Sequence, residues 1–126
     1  MEEPGTVRQR ILIADDNVDA ADSLAALLAC MGHEVRAAYS GVSAVETAEH
    51  FRPDVVLLDL GMPGLNGYET AHYIREAEWG RDAIVVAVTG WGSEADHRQS
   101  LQAGFDFHLT KPVDPDVIRR LVAAAA

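Results

Sequence analysis

The sequence is poor in several things, and each shortage excludes a class of protein. It has one cysteine, Cys30, in 126 residues. A single thiol cannot form an internal disulfide, and no Cys or His cluster has zinc-ligand spacing. Positive charge is scarce: ten Lys and Arg face twenty Asp and Glu, a formal net charge of -10. Such a chain repels nucleic acid phosphates and anionic head groups, which argues against direct DNA, RNA or membrane contact. Only one of the ten cationic residues is a lysine, Lys111. The longest apolar run is about eight residues, where a membrane-spanning helix needs roughly 20. The first ten residues have no apolar core after their charges, so they do not read as a signal peptide, and the expected compartment is the cytoplasm. There is no repeat and no Ser/Gly/Pro linker. What is present, 48% hydrophobic and 24% charged residues, is ordinary globular composition for one domain. Residues 1–8 read as a flexible lead-in and 9–126 as the domain.

Short apolar runs alternate with helical patterns. Arg10–Ala14, Glu34–Tyr39, Val55–Leu58, Ala83–Val88 and Phe105–Thr110 read as strands. Between them, Val18–Met31 has Leu24, Leu27, Leu28 and Met31 on one helical face, with Gly32 as its stop. Ser40 or Ser43 can cap the next helix, and Ser43 with Glu46 has capping-box spacing. Asn66 can cap a helix carrying Ala71, Ile74 and Ala77. Ser93 and Asp96 open a polar helix that Gly104 ends. Asp114-Pro115 gives a cap and a proline at the first helical position of a last helix lined by Ile118, Leu121, Val122 and Ala125. Five βα units imply a doubly wound α/β fold with a parallel sheet. Runs one, three and four are continuously apolar, as in strands buried on both faces; runs two and five alternate, as at sheet edges. That distribution matches the strand order 2-1-3-4-5.

In such a sheet, ligands bind at the carboxyl ends of the strands. Strand one ends in Asp15-Asp16, strand three in Asp59, strand four in Thr89, and strand five in Lys111, followed by Pro112. Two carboxylates about 4 Å apart repel by roughly 4 kcal/mol at an effective dielectric near 20. Three therefore call for protons, cations or both. Oxygen ligands without His or Cys suit Mg²⁺, or alternatively Mn²⁺. A hydroxyl and an ammonium beside a metal-binding carboxylate cluster describe a phosphoryl-transfer site. No general base stands ready to activate water, so a carboxylate is itself the nucleophile, giving an acyl phosphate. Asp59 is the candidate acceptor, because the turn Gly61-Met62-Pro63-Gly64 after it leaves room for a phosphoryl group. The adjacent pair Asp15-Asp16 suits a metal.

Taken together, Asp15-Asp16, Asp59 with Met62-Pro63 and Asn66-Gly67, Thr89-Gly90 and Lys111-Pro112 resemble the receiver domain of two-component response regulators, a flavodoxin-like (βα)5 fold, over about residues 9–124. The resemblance implies that Asp59 takes a phosphoryl group from the phosphohistidine of a histidine kinase or histidine phosphotransfer domain, switches conformation, and slowly dephosphorylates itself. It implies Mg²⁺ held by Asp16, Asp59 and the Gly61 carbonyl, with Asp15 acting through water. Thr89 and Lys111 would contact phosphoryl oxygens, and the Lys111–Pro112 peptide would be cis. Receivers often carry Tyr or Phe three residues before the lysine as a switch partner of the threonine; here that position is His108. Gly61 and Trp91 would border the phosphoryl group. Trp91-Gly92, with Ala103-Gly104-Phe105-Asp106, is similar to receivers of hybrid histidine kinases; a single-domain regulator is the other form expected. The isolated domain would be a phosphoacceptor rather than an enzyme, a monomer or weak homodimer.

Other readings make different demands. A metal-dependent phosphatase with an aspartate nucleophile needs a second carboxylate two residues on, where this chain has Gly61. A nucleotide- or flavin-binding sheet needs a phosphate loop after strand one, and Asp15-Asp16-Asn17 would repel it. A phosphorylation-independent binding module would not need the constellation. Singly, Asp15 or Asp16 could cap a helix, Thr89 could end a strand and Lys111 could be a solvated charge. Cys30 reads as a small core residue, and His33, His50, His72 and His97 as surface residues. The polar helix 93–103, with the loop before it, is expected to change most on phosphorylation.

Overall fold

The computed structural model describes residues 8–62, 64, 66–90, 104–111 and 113–124. Expectations for Trp91, His97, the 93–103 helix, Ala125 and the Lys111–Pro112 peptide fall outside them. Within them, strands and helices alternate: β1 (Arg10–Ala14), α1 (Val18–Cys30), β2 (Glu34–Ala38), α2 (Gly41–Phe51), β3 (Val55–Asp59), α3 (Gly67–Glu76), β4 (Ile84–Thr89), β5 (Phe107–Thr110) and α4 (Pro115–Ala124). A short 3-10 turn at Glu78–Arg81, which the pattern did not signal, precedes β4. All four strand pairings are parallel, and the order is β2-β1-β3-β4-β5. The apolar runs account for it. β3 is buried throughout, and β1 and β4 are buried beyond their first residues. β2 and β5, at the edges, keep exposed or half-buried positions.

The pleat sorts the core into two layers. Leu12, Ala14, Val56, Leu58, Val85 and Ala87 face Ala44 and Ala48 of α2 and Ala71 and Ile74 of α3. Their neighbours Ile11, Ile13, Val55, Leu57, Val86 and Val88 face Ala21 and Leu28 of α1 and Ile118, Leu121 and Val122 of α4. Each fully buried Leu or Ile contributes roughly 1.5–3 kcal/mol by leaving water. Small residues on α2 let that helix lie close to the sheet.

The helix ends are chemically specified. The Asn17 side chain accepts the Ala20 N–H, and the Asp114 carboxylate accepts the Asp116 N–H just after Pro115. Gly32 and Gly104 take positive φ, +98° in both. The cap of α2 is Ser40, whose hydroxyl accepts the Ser43 N–H at 3.1 Å. That puts Ser43 at the third position inside the helix, so the Ser43–Glu46 box does not form. A complete box stands at α3 instead. The Asn66 side chain accepts the Glu69 N–H at 3.0 Å, and Glu69 Oε1 receives the Asn66 N–H at 3.4 Å. Two further expectations are corrected. Cys30 is exposed, because it follows the buried Leu28 by two residues and so leaves the apolar face. His33 is half-buried, and its Nδ1 accepts the Gln9 N–H at 3.1 Å.

Arg75 of α3 organises the far end of the sheet. Its Nε donates to the Gly104 carbonyl at 2.9 Å, and its Nη1 to those of Gly80 and Ala83 at 2.9 and 2.6 Å. Its Nη2 meets Asp106 Oδ2 at 2.6 Å, an oxygen that also accepts the Val85 N–H.

Candidate functional site

The pleat that divides the core also aims the polar strand ends. Ile13, Leu57 and Leu109 belong to the α1/α4 layer. Side chains alternate along a strand, so Asp15, Asp59 and Lys111, each two residues further, leave the sheet on that same side. Carboxylate oxygens of Asp15, Asp16 and Asp59 lie within 4.8 Å of one another. Lys111 Nζ reaches between two of them, 3.2 Å from Asp15 Oδ2 and 3.4 Å from Asp59 Oδ2. Asp15 and Asp59 are buried, whereas Asp16 is exposed.

Backbone donors fix the other carboxylate oxygens. Asp15 Oδ1 accepts the Asn17 N–H at 2.9 Å, and Asp59 Oδ1 accepts the Gly61 N–H at 3.0 Å. Asn17 thus caps α1 and orients Asp15 at once. That dual part was not read from the sequence, although a short polar residue between an acidic pair and a helix signals it. Burial, reinforced by the neighbouring Asp59, raises the Asp15 pKa above the ordinary aspartate value, against the pull of the Asn17 N–H and Lys111. Burial opposes the Lys111 ammonium, yet the Asp59 and Asp15 carboxylates outweigh it and its pKa lies above the ordinary lysine value.

Thr89 ends β4 at the same rim and is 2% exposed. Its carbonyl accepts the Lys111 N–H at 2.7 Å, which ties the two strand ends together. Ala87 belongs to the α2/α3 layer, so Thr89 leaves the sheet on that side, opposite to Asp59. His108 is paired in register with Ala87 and is half-buried. It therefore shares the face of Thr89, one pleat further from the rim. A Cβ at Gly61 would lie 3.6 Å from Asp59 Oδ1, so glycine keeps that flank of the carboxylate open. Beside the cluster is a cavity of about 610 Å³, whose wall includes Leu24, Leu27 and Val113 as well as Asp15, Asp59 and Lys111.

The donor set fits a hard divalent cation. It is all oxygen, and three carboxylates against one ammonium leave a local charge of -2 for a cation to offset. Mg²⁺ holds its oxygen ligands at about 2.1 Å, and carboxylate oxygens within 4.8 Å of one another can converge on one such ion.

Residues 11–123 match the response regulator receiver domain family. The chain belongs to that family. Protein PilH of Pseudomonas aeruginosa is 37% identical over 116 residues, covering 91% of this chain and 95% of PilH. The sensor protein GacS of Pseudomonas syringae is 35% identical over 116 residues, which is 90% of this chain but 13% of GacS. Among solved structures, the receiver domain of a Pseudomonas aeruginosa sensor histidine kinase superposes with a TM-score of 0.84 at 32% identity, over 94% of this chain and 97% of that one. It has a magnesium ion coordinated in its active-site cleft. The chemotaxis protein CheY4 of Vibrio cholerae shares the fold, with a TM-score of 0.89 at 22% identity over 95% of this chain and 100% of that one. This receiver domain is thus a signalling module of a two-component system, in a family that works with histidine kinases or phosphotransfer proteins. Among the described residues, no helix is long and apolar enough to cross a membrane.

Proposed function

We propose that Asp59 is the phosphoacceptor of this receiver domain, and that the donor is the phosphohistidine of a histidine kinase or histidine phosphotransfer domain in the cytoplasm. One observation carries the reading: Lys111 Nζ sits 3.4 Å from Asp59 Oδ2 within a cluster of three carboxylates. A carboxylate oxygen of Asp59 attacks phosphorus. The P–N bond breaks, and its electron pair stays on the imidazole nitrogen, which takes up a proton. The product is an acyl phosphate. In the reverse loss, water attacks phosphorus, the P–O bond breaks, and the carboxylate and inorganic phosphate are released.

The chain's own residues hold the charges in place during that transfer. Lys111 offers a compact ammonium to a phosphoryl oxygen. The Gly61 N–H keeps Asp59 Oδ1 oriented, which leaves Oδ2 to react. The Thr89 hydroxyl would donate to a phosphoryl oxygen and draw its face of the sheet toward the site, with His108 as the neighbour that responds. Asp15, Asp16, Asp59 and the Gly61 carbonyl would hold Mg²⁺. When bound, the ion would neutralise charge building on the phosphoryl oxygens. The cavity beside Asp59 supports approach of the donor ring from the α1 side. Both a stand-alone regulator, as the full-length match to PilH supports, and a module of a longer kinase, as the match to GacS supports, use the site in the same way.

The test is to incubate the protein with acetyl phosphate and Mg²⁺ and measure its mass. One added phosphoryl group, absent in Asp59→Asn and suppressed by a chelator, is the expected result. An adduct that persists in Asp59→Asn overturns the assignment. Steady release of phosphate from many monoesters would favour the phosphatase reading instead.

A further inference from the structure

We propose that Gly67 is a positioning residue for the acceptor: the absence of a side chain lets the first turn of α3 bear directly on the Asp59–Leu60 peptide and holds the Asp59 carboxylate in its aim. The role rests on the reading of Asp59 above. A Cβ at position 67 would lie 2.7 Å from the Asp59 carbonyl oxygen, 2.8 Å from Leu60 Cα and 2.9 Å from Leu60 Cδ2. Two of those atoms are backbone and cannot swing aside. Gly67 is not among the residues with positive φ, so glycine is needed here for space and not for conformational freedom.

The turn that bears on Asp59 is stiff. Gly67 follows Asn66, the residue of the reciprocal cap with Glu69, and the Thr70 hydroxyl donates to the Asn66 carbonyl at 2.8 Å. From the strand side, the Leu60 N–H donates to the Val88 carbonyl at 3.0 Å. The Asp59–Leu60 peptide is therefore clamped between the β4 ladder and α3. A Cβ at 67 must push one of them away. The carboxylate would then shift against Lys111 and the other two acids, and a misplacement near 1 Å can cost about 100-fold in rate.

A second tight glycine supplies the control. A Cβ at Gly80 would come far inside contact distance of the Ile74 carbonyl oxygen, before β4 begins and so at the opposite end of the sheet. Three readouts are compared in wild type, Gly67→Ala and Gly80→Ala: urea stability, calorimetric affinity for Mg²⁺ alone, and the rate of mass gain with acetyl phosphate. Both variants are expected to lose stability. Only Gly67→Ala is expected to bind Mg²⁺ at least 3-fold more weakly and to gain phosphoryl at least 10-fold more slowly at a temperature where it is folded. Wild-type Mg²⁺ affinity and rate in folded Gly67→Ala would overturn the proposal, as would equal slowing in Gly80→Ala. If Gly67→Ala does not fold, Asn66→Ala and Asn66→Ser decide. Slowing by Ala with recovery by the capping Ser supports positioning, and a wild-type rate in Asn66→Ala overturns it. If wild type itself takes no phosphoryl group, the assignment of Asp59 fails, and Mg²⁺ affinity alone still judges Gly67.

Discussion

Removing the exposed acid of the cluster, Asp16→Asn, is expected to stabilise the protein without divalent cations and to blunt the stabilisation that Mg²⁺ gives. Asp16 shares a 4.8 Å neighbourhood with Asp15 and Asp59. At that distance a like-charge pair costs about 3.5 kcal/mol at an effective dielectric of 20 and about 0.9 kcal/mol in water. Asp16 is exposed, so its repulsions lie near the watery end, and two of them sum to about 1.5–2 kcal/mol. The substitution also loses a favourable carboxylate beside the N-terminus of α1, worth about 0.5 kcal/mol. The net gain is about 1 kcal/mol. Unfolding entropy for a chain of this length is roughly 0.26 kcal/mol/K, so Tm should rise by about 4 °C. Mg²⁺ at ten times its Kd would stabilise wild type by about 1.4 kcal/mol through linkage. The variant, lacking one ligand, should gain less than a quarter of that, which reverses the order of the two melting curves. Scanning calorimetry with chelator and with Mg²⁺ measures both. A Tm for Asp16→Asn at or below wild type in chelator, or equal gains with Mg²⁺, would refute the picture of a strained acidic cluster awaiting a cation.

Three further outcomes are expected. Gly61→Met should slow both gain of phosphoryl from acetyl phosphate and its later loss several-fold, because the side chain grows from a point 3.6 Å from Asp59 Oδ1; unchanged mass kinetics would refute it. Arg75→Ala should cost about 2–4 kcal/mol in urea unfolding, since it strands carbonyls of Gly80, Ala83 and Gly104 together with Asp106, and Arg75→Lys should recover only part; a cost under about 1 kcal/mol would refute it. Tyr39 donates to Asp22 Oδ1 at 2.6 Å, and that hydrogen bond raises its pKa above the ordinary tyrosine value. The stability this contributes is present below the unfolded tyrosine pKa and lost as pH rises through the folded one. Asp22→Asn should therefore bring one tyrosinate absorbance step to lower pH; an unmoved step would refute it.

The sheet was legible because burial writes itself directly into composition. Runs such as Val55–Leu58, apolar at every position, belong only in the middle of a covered sheet. The carboxylates and Lys111 were legible because each is polar where such a run ends. Contacts between distant segments were not. Nothing around Arg75 in sequence points to Gly104 or Asp106, and Cys30 has the polarity of a core residue but the wrong helical angle. At α2 two serines three apart offered two caps, and which one starts the helix depends on the length of the connection from β2. Gly67 shows the same limit. Its neighbour Asn66 announces a helix start, but the need for a missing side chain arises from a backbone eight residues earlier, visible only once α3 lies against it.

The alternation along each strand has a consequence for assembly. Asp15, Asp59 and Lys111 leave the sheet on one face, while Thr89 and His108 leave it on the other. A protein delivering a phosphoryl group along the α1 side and a protein sensing the opposite layer would approach through different surfaces. The two encounters would then call on different side chains of this domain. Each surface can then drift in sequence toward its own partner, provided that Gly67 and Thr89, which bear on the site from the α2/α3 layer, are kept.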